Sequence, residues 1–573
     1  MTTTRRSFLS TGAAGLALGL AARDGAAAAP AIAATDTVAS ASERLRLIES
    51  AHFGRKSGAE SRDGMAICTH PLASNEAVQV LREGGNAADA ALAASITQTV
   101  VEPHMTTITG CLCLLYWDAA TKKAYYCNGN VNAPLAEIPN FGAADIAGGR
   151  GVAVPGWWGG FEAAHDRFGS VPRRRLMEGA IRYARDGFET HPFLWGEMFA
   201  QVHKIGLTEA GREIYLPEGA LERPGELLVQ RRAADVLERL AEEGNDYFYR
   251  GDFAAEIVRV VGEAGGVLTR EDFERYRARW QEPALGSYRG WDLVGSPPPD
   301  NGGTHIIEML HMLENLDIAT LGPPTENPEV LYQMATVANA VYSEGGRQRD
   351  PESYPLPLET LLSKDYARMR FELLQMGNYE IDTSPAAVPN PGSNHVTVAD
   401  AKGNVCTILH SCMSLPWSNG LFADGVSICA AGAHFSRVMP KPGGRISAYV
   451  APNMVLRGGA PVLASGSPSV GLLQNILQNT VNMLDFGVDI ETSVHTPRFG
   501  GPAWNVPTPG LTSIEVDVAE GVRSAASKHG IAWDVVNPWN WLHGSFEGIW
   551  IDPVTGVMSA CGDPRRTSQA LAA

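Results

Sequence analysis

Residues 389–400 read Pro-Asn-Pro-Gly-Ser-Asn-His-Val-Thr-Val-Ala-Asp. Proline and glycine punctuate the approach, and the alternation of valine with polar residues after Ser393 predicts a half-buried strand. A hydroxyl residue at the head of such a strand could be released as a new N-terminus. Its freed amine would then lie beside its own hydroxyl, which is one way of activating a weak nucleophile. The alternative is a surface loop in which Ser393 is an ordinary serine entering a hairpin.

The composition limits the kinds of partner that the chain can bind. The chain has 573 residues, 45% of them hydrophobic, and a formal net charge of -17. This length and hydrophobic content suffice for a large core and for several domains. The acidic excess argues against nucleic acid as a partner, because phosphate binding needs a basic face. No later segment reaches roughly 18 uninterrupted apolar residues, so we expect no membrane span.

The N-terminus has the pattern of an export signal. The paired arginines Arg5 and Arg6 precede Ser7 and a short apolar run at 9–20, and an alanine-rich stretch follows. This order is typical of a twin-arginine signal, and the apolar run is too short to cross a membrane. We therefore expect a signal peptide at 1–34 and a periplasmic or secreted location.

The cysteines do not form a paired set with the spacing of metal ligands. We expect most of them to be buried thiols, which behave as small apolar residues. The sequence therefore predicts no metal site, and we expect no cofactor. The eight cysteines are Cys68, Cys111, Cys113, Cys127, Cys406, Cys412, Cys429 and Cys561.

Strands are predicted in both halves of the chain, with helices between them. Apolar residues recur at helical spacing over 75–101, with Gly84 and Gly85 as a break, and again over 472–484. This arrangement suggests an α+β or layered α/β/α body. The strands predicted after Ser393 include 396–399, 404–409, 448–456 and 461–464.

Several motifs, in one order along the chain, resemble those of γ-glutamyltransferases, a family of N-terminal-nucleophile hydrolases. The resemblance spans nearly everything after the signal. It implies a four-layer αββα sandwich of the α+β class, with a helical portion in the large subunit. It also implies a precursor that cuts itself into a large subunit, 35–392, and a small subunit, 393–573. The motifs are Leu81 to Ala91, Val154-Pro155-Gly156, Gly265 to Thr269 with Glu271-Asp272, Pro297 to Pro299 with Gly302-Gly303, Gly466-Ser467-Pro468, Pro497-Arg498-Phe499 and Gly562 to Arg565.

The resemblance implies which residues carry the chemistry. The family is cut before a threonine that heads an alternating strand, and here that position falls on Ser393, so the cut would follow Gly392. The hydroxyl that supports the nucleophile falls on Ser411. The two family glycines whose amides form the oxyanion site correspond to Ser469 and Val470, a change that backbone N–H groups tolerate if the turn is kept. His395 needs no role as a base, because a free α-amine has an unperturbed pKa near 7.7–8.0.

The family's substrate-binding positions carry different residues here. The arginine that binds the glutamyl α-carboxylate falls on Asn130, and the aspartate that binds the α-amine falls on His434. A family asparagine falls on Met413, and a pair of serines falls on Ala448 and Tyr449. A buried charge without a partner costs several kcal/mol, so we expect a zwitterionic glutamyl group to be rejected and a less charged, partly apolar acyl group to fit. A protonated His434 would offer an acyl carboxylate a partner.

We therefore interpret the chain as an exported, self-processing amidohydrolase or acylase of the γ-glutamyltransferase superfamily. Its partners would be a small-molecule amide or peptide with a non-γ-glutamyl acyl part, and the two subunits of its own precursor. Two alternatives remain. One is a true γ-glutamyltransferase or glutathione hydrolase with rearranged anchors. The other is an uncleaved, non-catalytic binding protein.

Overall fold

The structure, a computed structural model, describes residues 41–343, 348–377, 392–502 and 511–573. The signal expected at 1–34 and the proline-rich approach up to Pro391 lie outside the described residues. The strands are β1 Gly58–Ser61, β2 Gly64–Cys68, β3 Cys111–Asp118, β4 Lys123–Gly129, β5 Phe188–Glu189, β6 Leu227–Leu228, β7 Arg279–Gln281, β8 Ala284–Tyr288, β9 Trp291–Gly295, β10 Ser393–Asp400, β11 Val405–Ser411, β12 Phe422–Ala423, β13 Val426–Ser427, β14 Asn453–Arg457, β15 Ala460–Ser465, β16 Phe499–Pro502, β17 Leu511–Glu515, β18 Ala532–Val536, β19 Ile549–Ile551, β20 Met558–Cys561 and β21 Gln569–Ala572.

The helices lie mostly in the first two thirds of the chain. They are α1 Ala41–Glu49, α2 Pro71–Arg82, α3 Ala87–Val101, α4 Trp157–Phe168, α5 Arg173–Asp186, α6 Pro192–Ala200, α7 Val202–Ile205, α8 Glu209–Tyr215, α9 Arg231–Glu243, α10 Asp252–Glu263, α11 Arg270–Arg275, α12 Gly302–Leu313, α13 Ile318–Leu321, α14 Pro328–Ser343, α15 Leu358–Leu361, α16 Lys364–Gln375, α17 Gly432–Arg437, α18 Leu472–Leu484, α19 Ile490–His495 and α20 Glu520–Ser527.

Two seven-stranded sheets form the centre of the fold. The first sheet has the order β21-β2-β10-β11-β3-β4-β7, and the second has the order β1-β20-β19-β15-β14-β9-β8. In the first sheet β10 pairs antiparallel with β2 on one side and with β11 on the other. The strand that begins at Ser393 is therefore held from both edges, in the interior of a sheet.

Each sheet buries one face against the other sheet and its opposite face against helices. An apolar core between the sheets contains Cys111, Met413 and Ala464. A second core lies between the first sheet and α2, α3, α4, α5, α9 and α10. A third core lies between the second sheet and α12, α14, α16 and α18. These layers form the αββα sandwich, so the predicted α+β fold class is confirmed.

The glycine pair at 84–85 divides the predicted helix into two. Gly84 has φ +94°, a left-handed conformation that favours glycine, and the chain leaves α2 there. Helix α3 then begins with a capping box, in which Asn86 accepts from the backbone of Asp89 and Asp89 accepts from the backbone of Asn86. The predicted helix 472–484 coincides with α18.

One predicted strand is wrong in its first half. The strand β14 spans Asn453–Arg457, so the part 448–452 of the predicted 448–456 lies outside it. The Ala448 amide donates to the Pro299 carbonyl, and the Ala448 carbonyl accepts from the Asn301 amide. These backbone groups are therefore used by the proline loop before α12, and they do not extend the ladder of the second sheet.

The cysteines are buried thiols, as the sequence predicts. All eight cysteines are buried and none is in a disulfide. In the described ranges, no helix combines the length and the apolarity that crossing a membrane requires.

Candidate active site

Ser393 lies at the start of β10 and is 7% exposed. It pairs with Ser411 across β11, which in turn pairs with Cys111 on β3. Directly paired residues point to the same face of an antiparallel sheet. Ala399, which has the same alternation as Ser393 along β10, belongs to the core between the sheets. The Ser393 hydroxyl therefore faces the space between the two sheets, at their end.

The peptide bond between residues 392 and 393 is held by a hydroxyl. Ser411 Oγ donates to the Gly392 carbonyl oxygen. Ser411 Oγ in turn accepts from the Met413 amide at 2.8 Å. The amide of Met413 therefore orients the Ser411 hydroxyl toward the carbonyl that would be attacked in a self-cleavage reaction.

Only glycine fits before Ser393. A Cβ at Gly392 would lie 2.5 Å from Cys412 Sγ and would also clash with the Ser414 carbonyl oxygen. The second of these neighbours is backbone, which cannot turn aside as a flexible side chain can. The absence of a side chain therefore allows the Gly392 carbonyl to reach Ser411.

A turn from the second sheet supplies an amide to the Ser393 hydroxyl. The Ser469 amide donates to Ser393 Oγ at 3.0 Å. Ser469 has φ +78°, a left-handed conformation that is strained for a residue with a side chain. Val470 follows in the same turn, so its amide is positioned by the same stretch of backbone. The structure thus brings Ser393, Ser411 and the Ser469 turn together.

Two of the residues predicted to contact the acyl group, Met413 and Asn130, lie on the same side of Ser393. Met413 Sδ lies 3.2 Å from Cys111 Sγ. Cys111 belongs to β3, the strand next to the one that carries Ser411. Asn130 is fully buried after β4, and its Nδ2 donates to Asp300 Oδ1 at 2.6 Å. Its own Oδ1 accepts from the Val131 amide at 2.7 Å. Met413 and Asn130 therefore lie on the β3–β4 side of Ser393, and the Asn130 amide already has partners within the protein.

His434 is neutral at ordinary pH. Burial and the neighbouring Arg437 guanidinium lower the pKa of His434, which lies on α17, to about 3. The unliganded protein therefore favours the neutral imidazole, and the recruitment of an acyl carboxylate by a protonated His434 stays a prediction.

Tyr449 lies with the helices of the second sheet. Its ring stacks on Tyr342 of α14 with centroids 4.7 Å apart, and its hydroxyl donates to the Tyr342 carbonyl at 2.6 Å. The Arg437 guanidinium lies over the same ring, 4.6 Å from the centroid. Its neighbour Ala448 belongs instead to the core between the sheets. Among the described contacts, none joins Tyr449 to Ser393, so a role in binding the acyl group stays a prediction.

His395 is buried inside the first sheet. Its Nε2 is 2.8 Å from Thr407 Oγ1, and burial lowers the pKa of His395 to about 3. A Cβ at Gly466 would clash with the imidazole ring, which accounts for glycine at the start of that family motif. The neutral His395 ring is hydrogen-bonded to Thr407 and packs against Gly466 of the second sheet, so its role is structural.

The sequence analysis did not single out three residues that contact the predicted site residues. Asp300 accepts from Tyr126 and Asn130, Arg445 donates to the Asn130 carbonyl, and Cys111 contacts Met413. A buried aspartate in a Pro/Asn/Gly loop has no local signal that separates it from an exposed one.

In the described ranges, no group of three His, Cys, Asp or Glu side chains is arranged to hold a metal ion.

The family model described as gamma-glutamyltranspeptidase matches residues 73–573. The chain belongs to this family. It is similar to the acylase ACY 1 proenzyme of Pseudomonas sp. (strain SE83), with 30% identity over 506 residues, 83% of this chain and 88% of that protein. It is also similar to the glutathione hydrolase proenzyme of Bacillus subtilis (strain 168), with 27% identity over 559 residues, 89% of this chain and 91% of that protein.

A solved structure shares the whole architecture. The cephalosporin acylase from Bacillus halodurans aligns with a TM-score of 0.79 and 25% identity, over 91% of this chain and 97% of that chain. The γ-glutamyltranspeptidase family is one of N-terminal-nucleophile hydrolases and acyltransferases, and the curated relatives above are named proenzymes. The chain is accordingly an enzyme of this class and a divergent member of the family.

Proposed function

We propose that the chain cuts itself between Gly392 and Ser393 and that the released Ser393 hydrolyses an amide whose acyl part is not γ-glutamyl. The large subunit would comprise 35–392 and the small subunit 393–573. The observation that carries the proposal is a pair of hydrogen bonds, one to the carbonyl that would be cut and one to the hydroxyl that would attack it. Ser411 Oγ donates to the Gly392 carbonyl, and the Ser469 amide donates to Ser393 Oγ at 3.0 Å.

Self-cleavage would begin as an acyl shift from nitrogen to oxygen. Ser393 Oγ attacks the Gly392 carbonyl carbon, the C–N bond breaks, and the Ser393 nitrogen takes the proton that the hydroxyl loses. Negative charge develops on the Gly392 oxygen, where Ser411 Oγ already donates a hydrogen bond. Water then hydrolyses the resulting ester, which leaves a carboxylate on Gly392 and a free amine and hydroxyl on Ser393.

Removal of the Ser411 hydroxyl is expected to slow this self-cleavage by about 10²–10³-fold, the usual cost of losing one donor to a developing oxyanion. Ser411→Ala tests this, and Ser411→Thr is the matched control because it keeps the hydroxyl. The measurement is the conversion of precursor to two chains over time on denaturing gels. Conversion of Ser411→Ala at the wild-type rate would show that Ser411 does not support the cleavage.

Turnover would use the same serine with its new amine as the base. The α-amine takes the proton from Ser393 Oγ during attack on the substrate carbonyl and passes it to the leaving amine. The amides of Ser469 and Val470 would stabilise the oxyanion of the tetrahedral intermediate. Water, or an acceptor amine, then releases the acyl group from Ser393.

The proposed acyl preference rests on the charge of the residues at the two predicted substrate-binding positions, 130 and 434. Asn130 carries no charge and donates a hydrogen bond to Asp300. His434 is neutral, because its pKa is lowered to about 3. Neither supplies the charged partner that an amino-acid zwitterion needs in a desolvated site. The resemblance to relatives named acylases supports this reading. The alternative, γ-glutamyl transfer or glutathione hydrolysis, is supported by relatives that carry the glutathione hydrolase name.

The proposal is tested by assaying the purified enzyme on p-nitroanilides with uncharged acyl groups of increasing length, alongside denaturing electrophoresis. Two chains and release of p-nitroaniline from one or more uncharged acyl anilides are expected. A single chain that releases no p-nitroaniline from any anilide would instead support a non-catalytic binding protein.

Export through the twin-arginine route is part of the proposal. The paired residues Arg5 and Arg6 before a short apolar run motivate it. Replacing both with lysine is expected to trap the precursor in the cytoplasm, because the export receptor reads the arginine pair. Fractionation followed by immunoblotting measures the outcome, and a variant with both arginines kept and Arg23→Lys is the control. Unchanged export of the double variant would contradict this route.

A further inference from the structure

A buried ion network brings together two of the motifs that the chain shares with its family. Arg498 comes from one motif, Asp563 and Arg565 come from the other, and all three are at most 2% exposed. Arg565 donates to both oxygens of the buried Glu515, from Nε at 2.8 Å and from Nη2 at 2.6 Å. Arg498 Nη1 lies 2.7 Å from Asp563 Oδ2. Two carboxylates thus face two guanidinium groups, and the charges of these four side chains balance.

Both carboxyl groups of the network are held in the charged form. Burial acts to raise the pKa of the Glu515 carboxyl, but the Arg565 guanidinium outweighs it and the pKa is lowered. Burial also acts to raise the pKa of Asp563, and the guanidinium groups of Arg498 and Arg565 lower it. Buried ion pairs add little net stability, because the cost of desolvation offsets much of the attraction. The backbone groups that the network holds are therefore the better account of its presence.

Glu515 holds a turn formed by residues 540–543. Its Oε1 accepts from the Asn540 amide at 3.1 Å. Asn540 Oδ1 accepts from the Leu542 amide at 3.0 Å, and the Asn540 carbonyl accepts from the His543 amide at 3.0 Å. His543 Nε2 also lies 2.9 Å from Ser513 Oγ. The 540–543 turn is therefore fixed to strand β17, which carries both Ser513 and Glu515.

The 540–543 turn directly contacts the turn that carries Ser469. The Leu542 carbonyl accepts from the Gly471 amide at 3.0 Å, and Ser469 Oγ lies 3.5 Å from the same oxygen. A Cβ at Gly471 would lie 2.7 Å from that oxygen and 2.8 Å from His543 Cα, so the two backbones meet as closely as glycine allows. Ser469 has a left-handed φ of +78°, and such a conformation persists only where its surroundings hold it. Leu542 supplies part of that support.

We propose that Glu515 is a positioning residue for the oxyanion amides of the Ser469 turn. It acts through the Asn540 amide and the Leu542 carbonyl, and its arginine partners fix its own orientation. This inference rests on the proposed function, because those amides act only when Ser393 attacks a substrate carbonyl. Such donors lower the barrier while they point at the developing oxyanion, and a misplacement of about 1 Å costs on the order of 10²-fold. A loosened turn is therefore expected to lower kcat and to leave KM nearly unchanged.

The first test is Glu515→Gln, which offers one acceptor oxygen to four donors that now share two. Its kcat on pentanoyl p-nitroanilide, per mole of folded two-chain enzyme, is expected to fall at least about tenfold, with KM within about twofold of wild type. Self-cleavage is expected to stay within about threefold of the wild-type rate, because Ser411 donates to the oxygen that becomes negative in that step. Circular dichroism checks the folding. Glu308→Gln is the matched control, since the buried Glu308 also accepts from an arginine, Arg370, at 2.9 Å, and it is expected to keep the wild-type kcat.

A second pair of variants reaches the same turn with a smaller change. Asn540→Ala removes the acceptor of the Leu542 amide, and it is expected to lower kcat at least about threefold with KM unchanged. Asn540→Ser keeps a side-chain oxygen that can cap this amide, and it is expected to restore kcat to within about twofold of wild type. Asn327→Ala is the control, because Asn327 Oδ1 makes the same kind of contact with the Glu329 amide at the start of α14. We expect it to keep the wild-type kcat.

The outcomes separate this inference from the function on which it rests. A wild type that hydrolyses no anilide would overturn the proposed function and the role of Glu515 with it. If the wild type is active and both Glu515→Gln and Asn540→Ala keep its kcat, the positioning role is overturned while the function stands. Equal losses of self-cleavage and turnover, or a loss confined to KM, would also overturn that role. Should Glu515→Gln yield no folded enzyme, the Asn540 pair decides.

Discussion

Ser393→Ala is expected to remain one full-length chain and to lose at least about 10⁴-fold in amide hydrolysis, because one hydroxyl serves both reactions. In the structure that hydroxyl accepts from the Ser469 amide, next to the carbonyl that Ser411 holds. Denaturing electrophoresis measures the cleavage, and release of p-nitroaniline measures the activity.

Two further variants make the result specific. Ser393→Thr keeps a hydroxyl at the same atom position and is expected to retain cleavage and part of the activity. Ser559→Ala alters a half-buried serine of β20 in the second sheet and is expected to behave as wild type. Cleavage of Ser393→Ala at the same peptide bond would mean that another residue is the processing nucleophile.

The cleaved enzyme is expected to turn over γ-glutamyl p-nitroanilide very poorly. A charged contact that is lost in a desolvated pocket costs on the order of 2–5 kcal/mol. If that contact persists into the transition state, the loss corresponds to roughly thirty- to several-thousand-fold in kcat/KM. Asn130 is bonded to Asp300, and the pKa of His434 is lowered to about 3, so neither anchors a carboxylate or an ammonium group by charge.

The comparison substrate for this prediction is pentanoyl p-nitroanilide, which lacks both the amine and the carboxylate. We expect its kcat/KM to exceed that of the γ-glutamyl substrate by at least about thirtyfold. Glutathione should not compete with it at low concentration. Efficient γ-glutamyl turnover with strong competition by glutathione would contradict this account and favour the ordinary activity of the family.

The elements that hold the site could be predicted because their signals are local. Alternation after Ser393 predicted β10, and helical spacing predicted α18 at its observed bounds. Gly84 and Gly85 predicted the break between α2 and α3, since a left-handed residue ends a helix within one turn. These signals need only neighbouring residues, so a single sequence carries them.

The contacts between distant parts of the chain could not be predicted in this way. Asn130 and Asp300 are separated by 170 positions, and no local pattern joins an asparagine after a strand to an aspartate in a proline loop. The partner of Tyr449 was also out of reach, because Tyr342 lies 107 positions away along the chain. Neighbouring residues in extended backbone point to opposite sides, so Ala448 faces the other sheet while Tyr449 stacks on Tyr342.

The most direct test of the central claim is the intact mass of the purified wild-type protein, measured with and without denaturation and combined with N-terminal sequencing. We predict two chains that remain associated in the native state, the smaller one spanning 393–573 with serine as its first residue. A single uncut chain, or a small chain that begins at any residue other than Ser393, would contradict the account.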